Sequence, residues 1–142
     1  MPNQLLFDKT YLEMAQIWAN NLSKAKRKKV GALLVKDGQI ISCGYNGTPV
    51  GFDNNCEIET ENGLVTKPEV LHAETNCIAK VAKSTYSSVD STLYVTCSPC
   101  FDCSKLIIQS GIVRVVYSEL YRNMDGINLL LQANVKCVII DL

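Results

Sequence analysis

The residues best able to do chemistry in this chain are His72-Ala73-Glu74 and Pro99-Cys100-Phe101-Asp102-Cys103. His72 offers an imidazole nitrogen, and Cys100 and Cys103 offer thiolates. These three side chains suit a zinc ion. A structural zinc closes its tetrahedron with a fourth protein ligand, whereas three protein ligands leave one position open for water. Glu74 is not needed as a ligand. It stands two residues from one, where a carboxylate can move protons on and off that water. The chemistry this implies is metal-assisted hydrolysis.

Both segments have to open helices. A helix start carries unpaired N–H groups and a partial positive charge, which favours thiolate over thiol. The i, i+3 spacing of Cys100 and Cys103 puts both sulfurs on one face of a first turn. The pattern predicts helices from His72 to about Lys83, from Cys100 to Ser110 (stopped by Gly111), and from Asp125 to Gln132. A further helix opens at Asp8-Lys9-Thr10 and runs to about Ser23, with Leu12, Ala15, Ile17, Trp18 and Leu22 as its apolar face. Strands are expected at Val30–Val35, Ile40–Tyr45, Thr92–Thr96, Val113–Ser118 and Val135–Ile140. The order αββαβαβαβ implies an α/β fold, one five-stranded mixed sheet covered by helices. The region Asn46 to Thr66 reads as one long loop, and loops of that length are usually functional or disordered.

The 142 residues fit a single domain. Fourteen Lys and Arg balance fourteen Asp and Glu, so the net charge is zero. That speaks against long nucleic acid, where a basic face supplies most of the affinity. A small anion needs only a local cluster, and Lys24, Lys26, Arg27, Lys28 and Lys29 make one. No apolar stretch is long enough to span a membrane, and no signal peptide is visible. Seven cysteines, an odd number, include two in C-x-x-C. A reduced, cytoplasmic protein with a metal site is the expectation. Cys43, Cys77 and Cys137 lie in apolar stretches as small buried residues. A second zinc using Cys43 and Cys56 stays open as a lesser alternative.

Asp37-Gly38 is a hairpin signal. If it is a two-residue turn, Val30 faces Tyr45 and Gly31 faces Gly44, so the basic run ends beside the start of the Asn46 loop. Cations next to a glycine-bearing loop suit a phosphate. Lys24 and Lys26 read as a solvated helix end. Arg27 is a phosphate candidate, and the solvated reading stays open for it too.

H-x-E…P-C-x-x-C resembles the signature of zinc-dependent nucleobase deaminases. The resemblance narrows with Arg27-Lys28-Lys29-Val30-Gly31-Ala32, Gly44-Tyr45-Asn46-Gly47-Thr48-Pro49-Val50-Gly51, Lys67 to Asn76 and Leu93 to Cys100. These segments look like the deoxycytidylate (dCMP) deaminase family, from about Arg27 to the C-terminus.

The resemblance implies a three-layer cytidine-deaminase-like fold, a Zn2+ cofactor, and hydrolysis of dCMP to dUMP and ammonia for thymidylate synthesis. Glu74 would act as base and then acid, the Ala73 N–H would bind the ring O2, and the Ser98 carbonyl would accept from the 4-amino group. Asn46 matches a sugar-hydroxyl contact, although an asparagine is also at home in a turn. Lys83 matches a position that sets preference for the phosphorylated substrate, yet equally suits the wet face of its helix. Tyr121-Arg122 is a further candidate pair at the pocket mouth.

The resemblance also implies a hexamer, activated by dCTP and inhibited by dTTP with Mg2+. The regulatory nucleotide would lie on Lys29, Tyr45, Gly47, Thr48, Gly51, Phe52 and Asn54. Thr75 and Cys77 depart from the family's usual small or apolar flanks of Asn76, with no expected consequence for the chemistry. Two rival readings remain: a deaminase for another cytosine or adenosine substrate, and a non-catalytic zinc protein of the same fold. Glu74 argues against the second, since a non-catalytic site has no use for it.

Overall fold

The computed structural model describes residues 3–142. Helix α1 (Gln4–Leu22) leads into β1 (Gly31–Lys36) and β2 (Gln39–Tyr45). A small hairpin follows, β3 (Glu57–Thr60) and β4 (Gly63–Thr66). Then come α2 (Ala73–Ala82), β5 (Thr92–Cys97), α3 (Phe101–Gln109), β6 (Arg114–Glu119), α4 (Asp125–Gln132) and β7 (Lys136–Ile139).

The main sheet is five-stranded with order β2-β1-β5-β6-β7. β2, β1 and β5 pair antiparallel, and β5, β6 and β7 pair parallel. The chain therefore has the mixed sheet that its pattern implied. Alternate residues face opposite sides. Ala32, Leu34, Leu93, Val95 and Val115 pack under α2, α3 and α4. Leu33, Val35, Tyr94 and Val116 pack under α1.

Three expectations need correction. Asn46 to Thr66 is not all loop, because it holds the β3–β4 hairpin with Glu57 opposite Thr66 and Thr60 opposite Gly63. The β1–β2 register is shifted by one. Lys36 faces Gln39 and Val35 faces Ile40 as the Asp37-Gly38 turn requires, but a bulge between Leu34 and Val35 then puts Gly31 opposite Tyr45 and Ala32 opposite Gly44. Asp8 does not open α1, which begins at Gln4. Its buried row is Asp8, Leu12, Ala15 and Ala19, while Ile17 and Leu22 are exposed. Asp8 instead anchors the helix by accepting from Tyr94 Oη (2.6 Å), Arg114 Nη1 (2.8 Å) and Gln4 Nε2 (2.9 Å).

The mixed topology decides where a site can form. Because β1 runs against β5, the start of β1 lies at the same edge as the ends of β2, β5 and β6. The segments Ala25–Val30, Asn46, Cys97–Cys100 and Leu120–Arg122 therefore meet at one edge. In open α/β sheets, this carboxyl edge is where ligands bind.

Candidate active site

Two helix starts bring the ligand set together. His72 is the N-cap residue of α2 and Cys100 that of α3. The His72 Nδ1 lies 3.2 Å from Cys103 Sγ and 3.5 Å from Cys100 Sγ. With zinc bonds of about 2.0 Å to nitrogen and 2.3 Å to sulfur, tetrahedral geometry calls for N···S edges of about 3.5 Å. The triad fits a zinc ion in both donor type and spacing. Among the described residues it is the one His/Cys/Asp/Glu group gathered closely enough to hold a metal, and Cys43 and Cys56 do not form a second.

Close backbone approaches hold these helix starts in place. A Cβ on Gly44 would lie 2.8 Å from the Ala73 carbonyl oxygen and 2.9 Å from the Cys77 nitrogen, so β2 can seat α2 only with glycine there. A Cβ on Gly126 would lie 2.1 Å from the Pro99 carbonyl oxygen, so α4 presses directly on the turn that carries Cys100.

Within the triad, the hydrogen bond from Cys103, with help from His72 and the Cys103 backbone N–H, draws the Cys100 thiol down to about 4. Cys103 is pushed the other way, first by that same sharing with Cys100 and then by burial. His72 is raised, chiefly by its hydrogen bond to Cys100. Metal binding at a site of this kind displaces thiol protons. Glu74 is only 4% exposed, and burial lifts its carboxyl above the ordinary range. A buried carboxyl that gains protons readily is suited to general acid–base work.

His72 and Cys100 of the triad open into a cavity of about 500 Å³. His72, Ala73, Glu74, Ser98 and Cys100 line its floor; Arg27, Lys28, Asn46, Tyr121 and Arg122 are further lining residues. Asn46 is built into the wall. Its Oδ1 accepts from Val30 N (2.9 Å) and Ser23 Oγ (2.8 Å), and its Nδ2 donates to the Lys28 carbonyl (2.7 Å). One Nδ2 hydrogen remains for a ligand. Arg27 Nη1 donates to Thr66 Oγ1 at 3.2 Å, which joins the basic run to the small hairpin. Tyr121 receives its place from Ser98, whose Oγ accepts from the Tyr121 N–H at 2.6 Å.

Lys83 is not brought to this cavity. It is the exposed C-cap of α2, about 13 Å along the helix from Glu74 at 1.5 Å per residue. Lys29, Tyr45, Gly47, Thr48, Gly51, Phe52 and Asn54 also lie outside the lining, although Gly47 pairs with Leu71 beside His72. Lys28, expected only as a member of the basic cluster, lines the cavity, as do Glu57 and Thr66, to which the sequence pattern assigned no role. The alternation Glu57-Ile58-Glu59-Thr60, then Asn62-Gly63 and Leu64-Val65, was the signal for that hairpin.

Fold and site together bring three residues able to hold a metal and a buried carboxyl to a sheet's carboxyl edge, the arrangement that a hydrolytic metal centre needs. The model of the cytidine and deoxycytidylate deaminase zinc-binding region matches residues 6–119, and the chain belongs to that family. It is 35% identical to the deoxycytidylate deaminase of Enterobacteria phage T4, over 82% of this chain and 80% of that one. It is 38% identical to the human deoxycytidylate deaminase, over 72% of this chain and 60% of that one. A crystal structure of the dCMP deaminase from cyanophage S-TIM5, in complex with dCMP and dUMP, superposes with a TM-score of 0.89 at 45% identity, covering 95% of this chain and 97% of that one.

Proposed function

We propose that this protein deaminates dCMP by hydrolysis, giving dUMP and ammonia. The observation that carries the proposal is the placement of buried Glu74 with His72 and Cys100, two members of the His72–Cys100–Cys103 triad, in one cavity with Arg27, Lys28 and Arg122. The cations suit a phosphate, and the floor suits a neutral base. The substrates of the relatives named above support the same assignment.

His72, Cys100 and Cys103 would hold the zinc, which when bound supplies Lewis acidity. Glu74 takes a proton from the attacking water as its oxygen joins C4 of the cytosine ring. It delivers that proton to N3. A second proton from the adding oxygen then passes through Glu74 to the amino nitrogen, and the C4–N bond breaks to release ammonia. One buried carboxyl serves as base and then acid. The Ala73 N–H and the Ser98 carbonyl orient the ring, the spare Nδ2 hydrogen of Asn46 reaches the sugar hydroxyl, and Arg27 with Tyr121 holds the phosphate end.

Regulation by dCTP and dTTP with Mg2+, on a hexamer, belongs to the same proposal. Its support is the Tyr45–Asn54 segment. Asn76 Nδ2 donates to the Tyr45 carbonyl at 2.8 Å, and Gly47 exchanges hydrogen bonds with Leu71, so movement there reaches the start of α2. A ligand would act by binding the competent and incompetent arrangements unequally. Seven free thiols support a reducing, cytoplasmic setting.

The test is ammonia release by the zinc-loaded protein from dCMP and from deoxycytidine, each with dCTP or dTTP added. Preference for dCMP is expected, raised by dCTP and lowered by dTTP. Equal rates on both substrates would remove the phosphate from the proposal, and no release from either would remove the substrate.

A further inference from the structure

We propose that Thr75 tunes the metal site: its hydroxyl donates a hydrogen bond to the Cys103 sulfur and draws electron density away from that ligand. Thr75 follows Glu74 on the first turn of α2, three residues from His72, so it shares the ligand face of the helix. Its Oγ1 lies 3.7 Å from Cys103 Sγ, within reach of a hydrogen bond to sulfur.

Chemistry settles the direction of this bond. A thiolate that binds a cation has no proton, so the only hydrogen between the two atoms is on the threonine oxygen. The two sulfurs are served differently. Cys100 Sγ receives the backbone N–H of Cys103 at 3.5 Å, a bond that no side-chain replacement removes. Cys103 is 4% exposed, so water is a poor substitute for the Thr75 hydroxyl. A hydrogen bond lowers the basicity of a thiolate and the charge it passes to its metal. Groups of this kind beyond the ligands adjust metal acidity and ligand orientation.

The inference rests on reading the triad as a metal site, and the test separates the two. Wild type, Thr75→Val and Thr75→Ser are each loaded with Co2+ in place of zinc, and the thiolate-to-cobalt charge-transfer band is recorded. Valine keeps the shape and loses the hydroxyl, while serine keeps the hydroxyl. Thr75→Val is expected to bind the same amount of Co2+ with the band moved to lower energy, and Thr75→Ser to restore the wild-type position. With zinc, Thr75→Val is expected to lower kcat about tenfold with KM unchanged. A band at the wild-type energy in Thr75→Val would overturn the role of Thr75. Absence of any thiolate-to-cobalt band in the wild type would overturn the metal site itself. Should Thr75→Val not fold, Thr75→Ala carries the same comparison.

Discussion

Two buried carboxylates sit on opposite faces of the main sheet and behave in opposite ways. Asp8 on α1 is 2% exposed, and Glu74 on α2 is 4% exposed. Burial pushes both upward. At Asp8 the hydrogen bonds from Arg114, Tyr94 and Gln4 more than offset that push, and the carboxyl ends below its ordinary value. At Glu74 no fixed cation of Lys or Arg type enters the balance, and the carboxyl ends above its ordinary value. A carboxylate ringed by donors keeps its charge and holds elements together. At Glu74 its own backbone N–H, His72 and Cys103 oppose burial without overcoming it, and a carboxyl left in that state is suited to exchanging protons. One fold thus separates its anchor from its reactive group by a single sheet.

The harshest way to break this contrast is to strip the metal with a chelator. Turnover is expected to fall to background while far-ultraviolet circular dichroism stays unchanged, because the Asp8 face does not depend on the metal. Loss of helix content together with metal would tie the two faces.

The next largest effect is expected from Asp8→Asn. It leaves Arg114 buried against an uncharged partner and should cost about 3 kcal/mol in urea denaturation. Activity per folded molecule should be retained. The pH dependence has a definite sign. With a folded value below the ordinary 3.8, Asp8 contributes its full stabilisation above the unfolded value and loses it as pH falls through the folded value. Wild type should therefore lose stability below about pH 4 more steeply than Asp8→Asn.

Gly126→Ala sharpens the contrast from the reactive side. The new Cβ has no room beside the Pro99 carbonyl, so Cys100 must shift. Zinc affinity, read by competition with a chromogenic chelator, should weaken about tenfold. Unchanged affinity would show that α4 yields instead. A smaller and more selective effect is expected of Arg27→Gln. KM for dCMP should rise about tenfold, the worth of one charged hydrogen bond, with KM for deoxycytidine unmoved. Equal changes on both substrates would take Arg27 away from the phosphate.

The reactive side was the more legible in the sequence. Ligand chemistry needs particular residue types at particular spacings, and His72, Glu74, Cys100 and Cys103 carry theirs within short segments. The starts of α2, α3 and α4 and the succession of the main sheet's strands along the chain followed from local patterning. What escaped depends on partners far along the chain. Asp8 looked like a helix cap because Arg114, 106 residues away, is invisible to local pattern. The one-residue register shift came from a bulge that no turn residue announces. Glu57 and Thr66 reach the cavity because the small hairpin folds back onto the basic run, where they meet the Lys26 and Arg27 backbone and the Arg27 side chain.

The most direct test of the division between anchor and reactive group is Glu74→Gln in the zinc-loaded protein. Glutamine keeps the size and loses the exchangeable proton. Turnover of dCMP is expected to fall at least about a hundredfold, with zinc content and thermal midpoint near those of the wild type. Turnover within a few-fold of wild type, or loss of zinc together with the carboxylate, would contradict the assignment of Glu74 as the proton carrier.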